Sequence, residues 1–177
     1  MITDRPDFQM GRAEFIALIA MMFATIAFST DAMLPALPQI AADLAPDTPE
    51  RVPLILTSFI LGLGLGTFVT GPLSDAFGRK NVVYGGAALY ILGTLVAWAS
   101  QSLEIMLAAR VVQGLGAAGP RVVSLAIIRD LFAGRQMAKI MSFVMMIFVI
   151  VPALAPALGA VIIGFTDWRG IFGTPGA

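Results

Sequence analysis

Five long stretches of this chain are almost free of charge, and a polypeptide of that pattern has few ways to fold. Residues 52–74, 81–103 and 140–166 contain no Asp, Glu, Lys or Arg; residues 15–42 are interrupted only by Asp31, and residues 105–128 only by Arg110 and Arg121. A helix needs roughly 20 apolar residues to cross the hydrocarbon core of a bilayer, so each stretch is long enough to span. The sequence is 58% hydrophobic and only 12% charged, whereas a soluble domain is about 25% charged. So few charges cannot cover a water-facing surface, and the solvent that suits this chain is lipid. The expected fold is an all-α polytopic membrane protein. Its helices cover about 14–38, 52–73, 82–100, 104–127 and 139–165, between a cytoplasmic N-terminus (1–13) and a tail (166–177).

The three interrupting charges carry the functional information. A charge at the centre of a spanning helix costs about 2.5–3.5 kcal/mol on insertion scales. Incurred three times, that penalty points to a cavity, a partner or a polar path through the bilayer. Heights follow from the rise of about 1.5 Å per residue. Asp31 lies about 24 Å above the inner end of the first helix, and Arg110 about 21 Å above the same face, taking a core of ~30 Å. If the first and fourth helices are neighbours, these two can pair. Arg121 follows Arg110 by about three turns, so both share a face, and Gln113 lies on it one turn from Arg110. Quieter readings stand beside these: Asp31 as a solvated residue ending a short first helix before Pro35 and Pro38, Arg110 as a structural bridge, and Arg121 as an interfacial anchor that snorkels to water.

Lys and Arg in the short loops set the orientation. Arg5, Arg12, Arg79, Lys80, Arg129, Arg135 and Lys139 fall on one side, Arg51 and Arg169 on the other. The crowded side, and with it the N-terminus, should be cytoplasmic. The chain has no His and no Cys, which excludes thiol nucleophiles, histidine relays and Cys/His zinc sites. Asp31 is the only acid deep in a span, too few for an aspartyl protease within the membrane. The chain is therefore read as no enzyme, needing no metal or cofactor and binding no nucleic acid, with the lipid bilayer as its partner; protons and a small-molecule substrate join it only through the resemblance described next. Small residues four apart, Gly62 and Gly66, Gly114 and Ala118, Ala155 and Gly159, allow helices to approach closely.

Between the second and third stretches the sequence reads Gly71-Pro-Leu-Ser-Asp75-Ala-Phe-Gly78-Arg79-Lys80. As a loop of about seven residues, it would turn at Gly78, with Asp75 accepting hydrogen bonds near a helix end or pairing with Arg79. The segment resembles the signature loop of the major facilitator superfamily, Gly-x-Leu-x-Asp-x-x-Gly-Arg-Arg/Lys. Arg110-Val-Val-Gln113-Gly114-Leu-Gly116-Ala-Ala is similar to that family's fourth-helix motif, and Pro152-Ala-Leu-Ala-Pro156-Ala-Leu-Gly159 to the fifth-helix motif of its proton-coupled antiporters. Ser29-Thr-Asp31-Ala-Met-Leu-Pro35-Ala-Leu-Pro38 resembles the first helix of twelve-span drug:proton antiporters of the bicyclomycin and chloramphenicol resistance type.

The resemblance implies the first five helices of an N-terminal six-helix bundle in a bacterial inner (plasma) membrane, and proton-coupled efflux of small amphipathic or drug-like molecules by the full-length relative. Arg110, with Gln113 beside it, would take part in proton coupling. Asp31 would alternate between charged and protonated states or contact substrate. Gly71, Asp75, Gly78, Arg79 and Lys80 would form a conformational latch. Gly114, Gly116, Pro152, Pro156 and Gly159 would shape helix interfaces. The pattern departs from the family at Ala76, often Arg there, and at Ala155 and Ala160, where Gly is usual. Gly173, Pro175 and Gly176 would stop a sixth helix where one should begin. The expectation is thus a fragment, inactive without the missing C-terminal half. The alternative is a non-catalytic membrane subunit or remnant that pairs with another half.

Overall fold

A computed structural model of the protein describes residues 12–132 and 134–173, which hold helices and no strand. Arg5, Pro175 and Gly176 lie outside the described residues. Five helical stretches are long and apolar enough to cross a membrane: Ile16–Leu44, Pro49–Phe77, Arg79–Trp98, Leu103–Leu131 and Gly134–Phe165.

The first of these is not one helix. α1 (Arg12–Asp31) stops at Asp31; a 3-10 turn (Leu34–Ala36) and α2 (Leu37–Leu44) follow. The expected single helix over 14–38 is therefore corrected, and the cause is local. Pro35 has no N–H to give the carbonyl of Asp31, and Pro38 none to give that of Leu34. The second span also differs. α3 (Leu54–Phe77) continues past 73, so Gly71 and Asp75 lie inside a helix and Gly78 alone separates α3 from α4 (Arg79–Trp98). Gly78 turns the chain with φ 83 and ψ 149, a region that only glycine occupies comfortably. A Cβ there would meet nothing within 4 Å. Gly78→Ala is accordingly expected to cost about 1–3 kcal/mol from backbone strain alone, read as a lowered midpoint of thermal unfolding in detergent.

α5 (Leu103–Leu131) is the spine of the bundle, with α3 on one side and α4 on the other; α1 packs on α6 (Gly134–Phe165) and touches α5. Glycines set these separations. A Cβ on Gly62 would fall on the Val111 carbonyl oxygen and one on Gly114 on that of Phe59, so α3 and α5 meet backbone to backbone. Gly86 and Gly116 do the same between α4 and α5, and Gly159 brings α6 against the Ala32 carbonyl just beyond α1. Pro152 and Pro156 both lie within α6.

Three apolar clusters stack along the bundle. Ile19, Phe23, Ile128, Ile140 and Val144 close one end. Ile26, Phe59, Leu63, Ala117 and Ala118 fill the middle. Met33, Ile40, Val52, Ile55, Met106 and Trp168 close the other end. The outward surfaces carry large apolar side chains such as Phe68 (83% exposed), Val149 (69%) and Phe165 (88%); exposure on that scale fits contact with acyl chains rather than water.

Beyond α6, a 3-10 turn (Trp168–Phe172) folds back onto the bundle. The Trp168 indole donates to Asp43 Oδ2 at 2.8 Å, and the Arg169 guanidinium lies 4.1 Å from the Trp168 ring and donates to the Ser100 carbonyl at 3.1 Å. These contacts join α2, the α4–α5 connection and the end of α6.

Candidate functional site

Arg110 is the one charged side chain buried among the described residues, at 1% exposure. Its position follows from how α1 ends. The last four carbonyls of a helix have no partner in the helix, and α1 terminates two residues after Ser29. Arg110 Nη2 donates to the Ser29 carbonyl at 2.9 Å. The guanidinium thus caps the C-terminus of α1, where aligned peptide dipoles present partial negative charge. Nη1 donates to Gln113 Oε1 at 2.6 Å, one turn along α5, and the guanidinium carbon lies 4.6 Å from the centre of the Phe59 ring. Gln113 Nε2 in turn donates to Thr94 Oγ1 at 2.8 Å, and Thr94 donates to the Tyr90 carbonyl. The Tyr90 hydroxyl is hydrogen-bonded to Ser29 Oγ. α1, α4 and α5 are therefore tied through one polar ring at mid-bundle.

The expected Asp31–Arg110 ion pair does not form. The guanidinium reaches α1 two residues short of Asp31, about 3 Å along the axis, because an unsatisfied carbonyl is within its reach there. Asp31 is half-buried at the last residue of α1, with no ion pair among the described residues. Arg121 is half-buried on α5, also without an ion pair among the described residues.

The expected pairing of Asp75 with Arg79 is corrected as well. Arg79 binds Asp130 at 2.5 Å, joining the start of α4 to the end of α5. Asp75 is exposed on the last turns of α3, where the helical extension to Phe77 has carried it. Lys80 is exposed and lies 5.8 Å from the Tyr84 ring. The turn is held instead by Asn81 Nδ2, which donates to the Phe77 carbonyl at 3.0 Å.

Phe28, Met33, Tyr90, Arg110, Gln113 and the turn at 171–173 enclose a cavity of about 230 Å³. A more open hollow of about 390 Å³ lies beside it, sharing Phe28 and Tyr90 and walled by Met21, Val151 and Leu154. Tyr90, Thr94 and Phe59 belong to none of the sequence motifs, and Ser29 enters only as the first residue of the segment that holds Asp31. Ser29 and Thr94 carry the plainest signal, as hydroxyls within apolar runs at the height of Arg110.

The sequence profile described as Major Facilitator Superfamily matches residues 17–177. The bicyclomycin resistance protein homolog of Haemophilus influenzae is 37% identical over 158 residues, covering 89% of this chain and 39% of that protein. The chloramphenicol resistance protein of Pseudomonas aeruginosa is 34% identical over 143 residues (80% of this chain, 34% of that protein). The multidrug resistance protein MdtL of Escherichia coli is 35% identical over 144 residues (81% and 37%). The chain thus spans well under half the length of these relatives.

Proposed function

The chain belongs to the major facilitator superfamily, a family of transporters rather than enzymes, and on that footing we propose that it forms the first part of a carrier exporting small amphipathic, drug-like molecules in exchange for protons. The observation that carries this reading is the buried Arg110, held by three helices beside a cavity at mid-bundle. Intramembrane charges are expensive and mark pathways and relays. The resistance proteins it resembles supply the drug-like class of cargo.

In this reading Asp31 and Arg110 are the coupling pair, engaged in turn rather than permanently. A charged Asp31 competes with the Ser29 carbonyl for the guanidinium, and a proton on Asp31 removes that pull. The resulting change in how α5 grips the end of α1 biases the packing of the spans. Arg79 at the start of α4, paired with Asp130 at the end of α5, steadies the side taken as cytoplasmic by its Lys and Arg content. The membrane is the bacterial inner membrane, with the N-terminus in the cytoplasm.

Alternating access needs one half to rock against another around a midplane site. This chain reconstituted by itself is therefore expected to show no proton-driven efflux. A chimera in which it replaces the matching part of the Haemophilus influenzae relative is expected to lower cellular accumulation of a fluorescent efflux probe, and an uncoupler to abolish the effect. A chimera that reaches the membrane yet leaves accumulation unchanged would refute the transport reading. Efflux by the isolated chain would refute its incompleteness.

A further inference from the structure

Among the described residues, every group that meets the Arg110 guanidinium is neutral. Its acceptors are an amide oxygen and a backbone carbonyl, and its stacking partner is a phenyl ring. Its Nε is buried with no hydrogen-bond partner among the described residues. The ion pairs among the described residues all involve other arginines. A buried cation without a counter-charge is costly, and here it lines a cavity whose other described walls are uncharged, among them Phe28, Met33, Tyr90, Thr94, Gln113 and Phe172. The neighbouring hollow past Phe28 and Tyr90 adds no charge of either sign. Asp31 lines neither space.

We propose that the Arg110 cavity binds the carboxylate of a small amphipathic monoanion, with the apolar body of the ligand lying along Phe28 toward Met21 and Leu154. The carboxylate supplies the missing negative charge and forms charge-assisted hydrogen bonds with the guanidinium, displacing the Gln113 amide oxygen or reaching Nε. The site admits neutral amphiphiles weakly and rejects cations, which would sit against an uncompensated positive charge. This deepens the efflux reading by naming a substrate class, and it depends on that reading only for calling the bound molecule a substrate.

The test uses the whole chain in lipid nanodiscs and three probes of one shape: benzoate, benzamide and benzylammonium, titrated calorimetrically at neutral pH. Benzoate is expected to bind at least about tenfold tighter than benzamide, equivalent to about 1.4 kcal/mol, and benzylammonium more weakly than either. Arg110→Met is expected to bring benzoate and benzamide within about twofold of each other, equivalent to about 0.4 kcal/mol. Arg110→Lys keeps the preference and guards against a misfolded Met variant. Equal affinity for benzoate and benzamide, tighter binding of the cation, or no binding of any probe would overturn the proposal. So would a benzoate preference that survives in Arg110→Met. These readings involve no transport, so a failed chimera leaves them standing, and a failed titration leaves the chimera's efflux to be judged separately.

Discussion

Gly62→Ala is expected to destabilise the bundle by about 1–3 kcal/mol, while Gly64→Ala, two residues along the same helix, is expected to leave it unchanged or make it firmer. The two substitutions add the same methyl group to α3. At position 62 the new Cβ would overlap the Val111 carbonyl oxygen of α5; at position 64 it would meet nothing within 4 Å. A backbone atom cannot rotate aside as a flexible side chain can. Relief would require α3 to move off α5, which would also loosen the neighbouring contacts of Gly66 with Leu115 and Ala118 and of Gly114 with Phe59. At the open site only the intrinsic helix preference of Ala over Gly operates, up to about 1 kcal/mol in favour of Ala. Thermal unfolding of both variants in one detergent, followed by far-ultraviolet circular dichroism, separates the two. A Gly62→Ala protein as stable as Gly64→Ala would mean that the helices are not held at backbone contact.

The close approach at Gly62 was legible because small residues four apart carry a spacing that survives without any structure. The five spans were legible for a similar reason: uninterrupted apolar length leaves few alternatives. What escaped the sequence was the detail at helix ends. Pro35 and Pro38 were visible as terminators, but their consequence was electrostatic as well as geometric. Ending α1 at Asp31 frees the Ser29 carbonyl, and that carbonyl, rather than the carboxylate two residues on, takes the guanidinium. Height estimates from residue counts brought the right parts of α1 and α5 together, yet a count along the axis cannot say which of two acceptors wins. The Asp75–Arg79 expectation failed through an over-long loop. The second helix was expected to end near residue 73, but proline at 72 is tolerated within this membrane helix, and the chain stays helical to Phe77. Asp130, the actual partner of Arg79, is distant in sequence and belongs to no motif that was considered. The docking of Trp168 on Asp43 is likewise a tertiary event that neither segment announces by itself.

Gln113→Leu is expected to cost about 3 kcal/mol, the upper end for leaving a buried donor unpaired because this donor is charged, and Arg110→Met in the same chain is expected to return most of that loss. Gln113 supplies the only side-chain acceptor for the guanidinium among the described residues, while its amide donates to Thr94. Leucine fills similar volume and does neither, so Nη1 would join Nε as a buried donor without a partner. The penalty arises from the guanidinium, and so it should vanish with it. Arg110→Met alone gives up the hydrogen bonds to Gln113 and the Ser29 carbonyl, at about 1.5–3 kcal/mol each where a charged group is involved. It also gives up the contact with Phe59, worth about 2 kcal/mol when desolvated. Against this stands a desolvation penalty of several kcal/mol for the lone ion, so the single variant should remain folded with little net change. In the double variant no charge is left to serve, and a well-packed apolar pair occupies the space. A double-mutant cycle on equilibrium unfolding should therefore give a coupling above about 2 kcal/mol between positions 110 and 113. Simple additivity of the two losses would show that Arg110 is no strained charge but an ordinary well-compensated one. The case for a site that lacks an anion would then lose its energetic basis, because a guanidinium already satisfied by Gln113, Ser29 and Phe59 has little left to gain from a carboxylate.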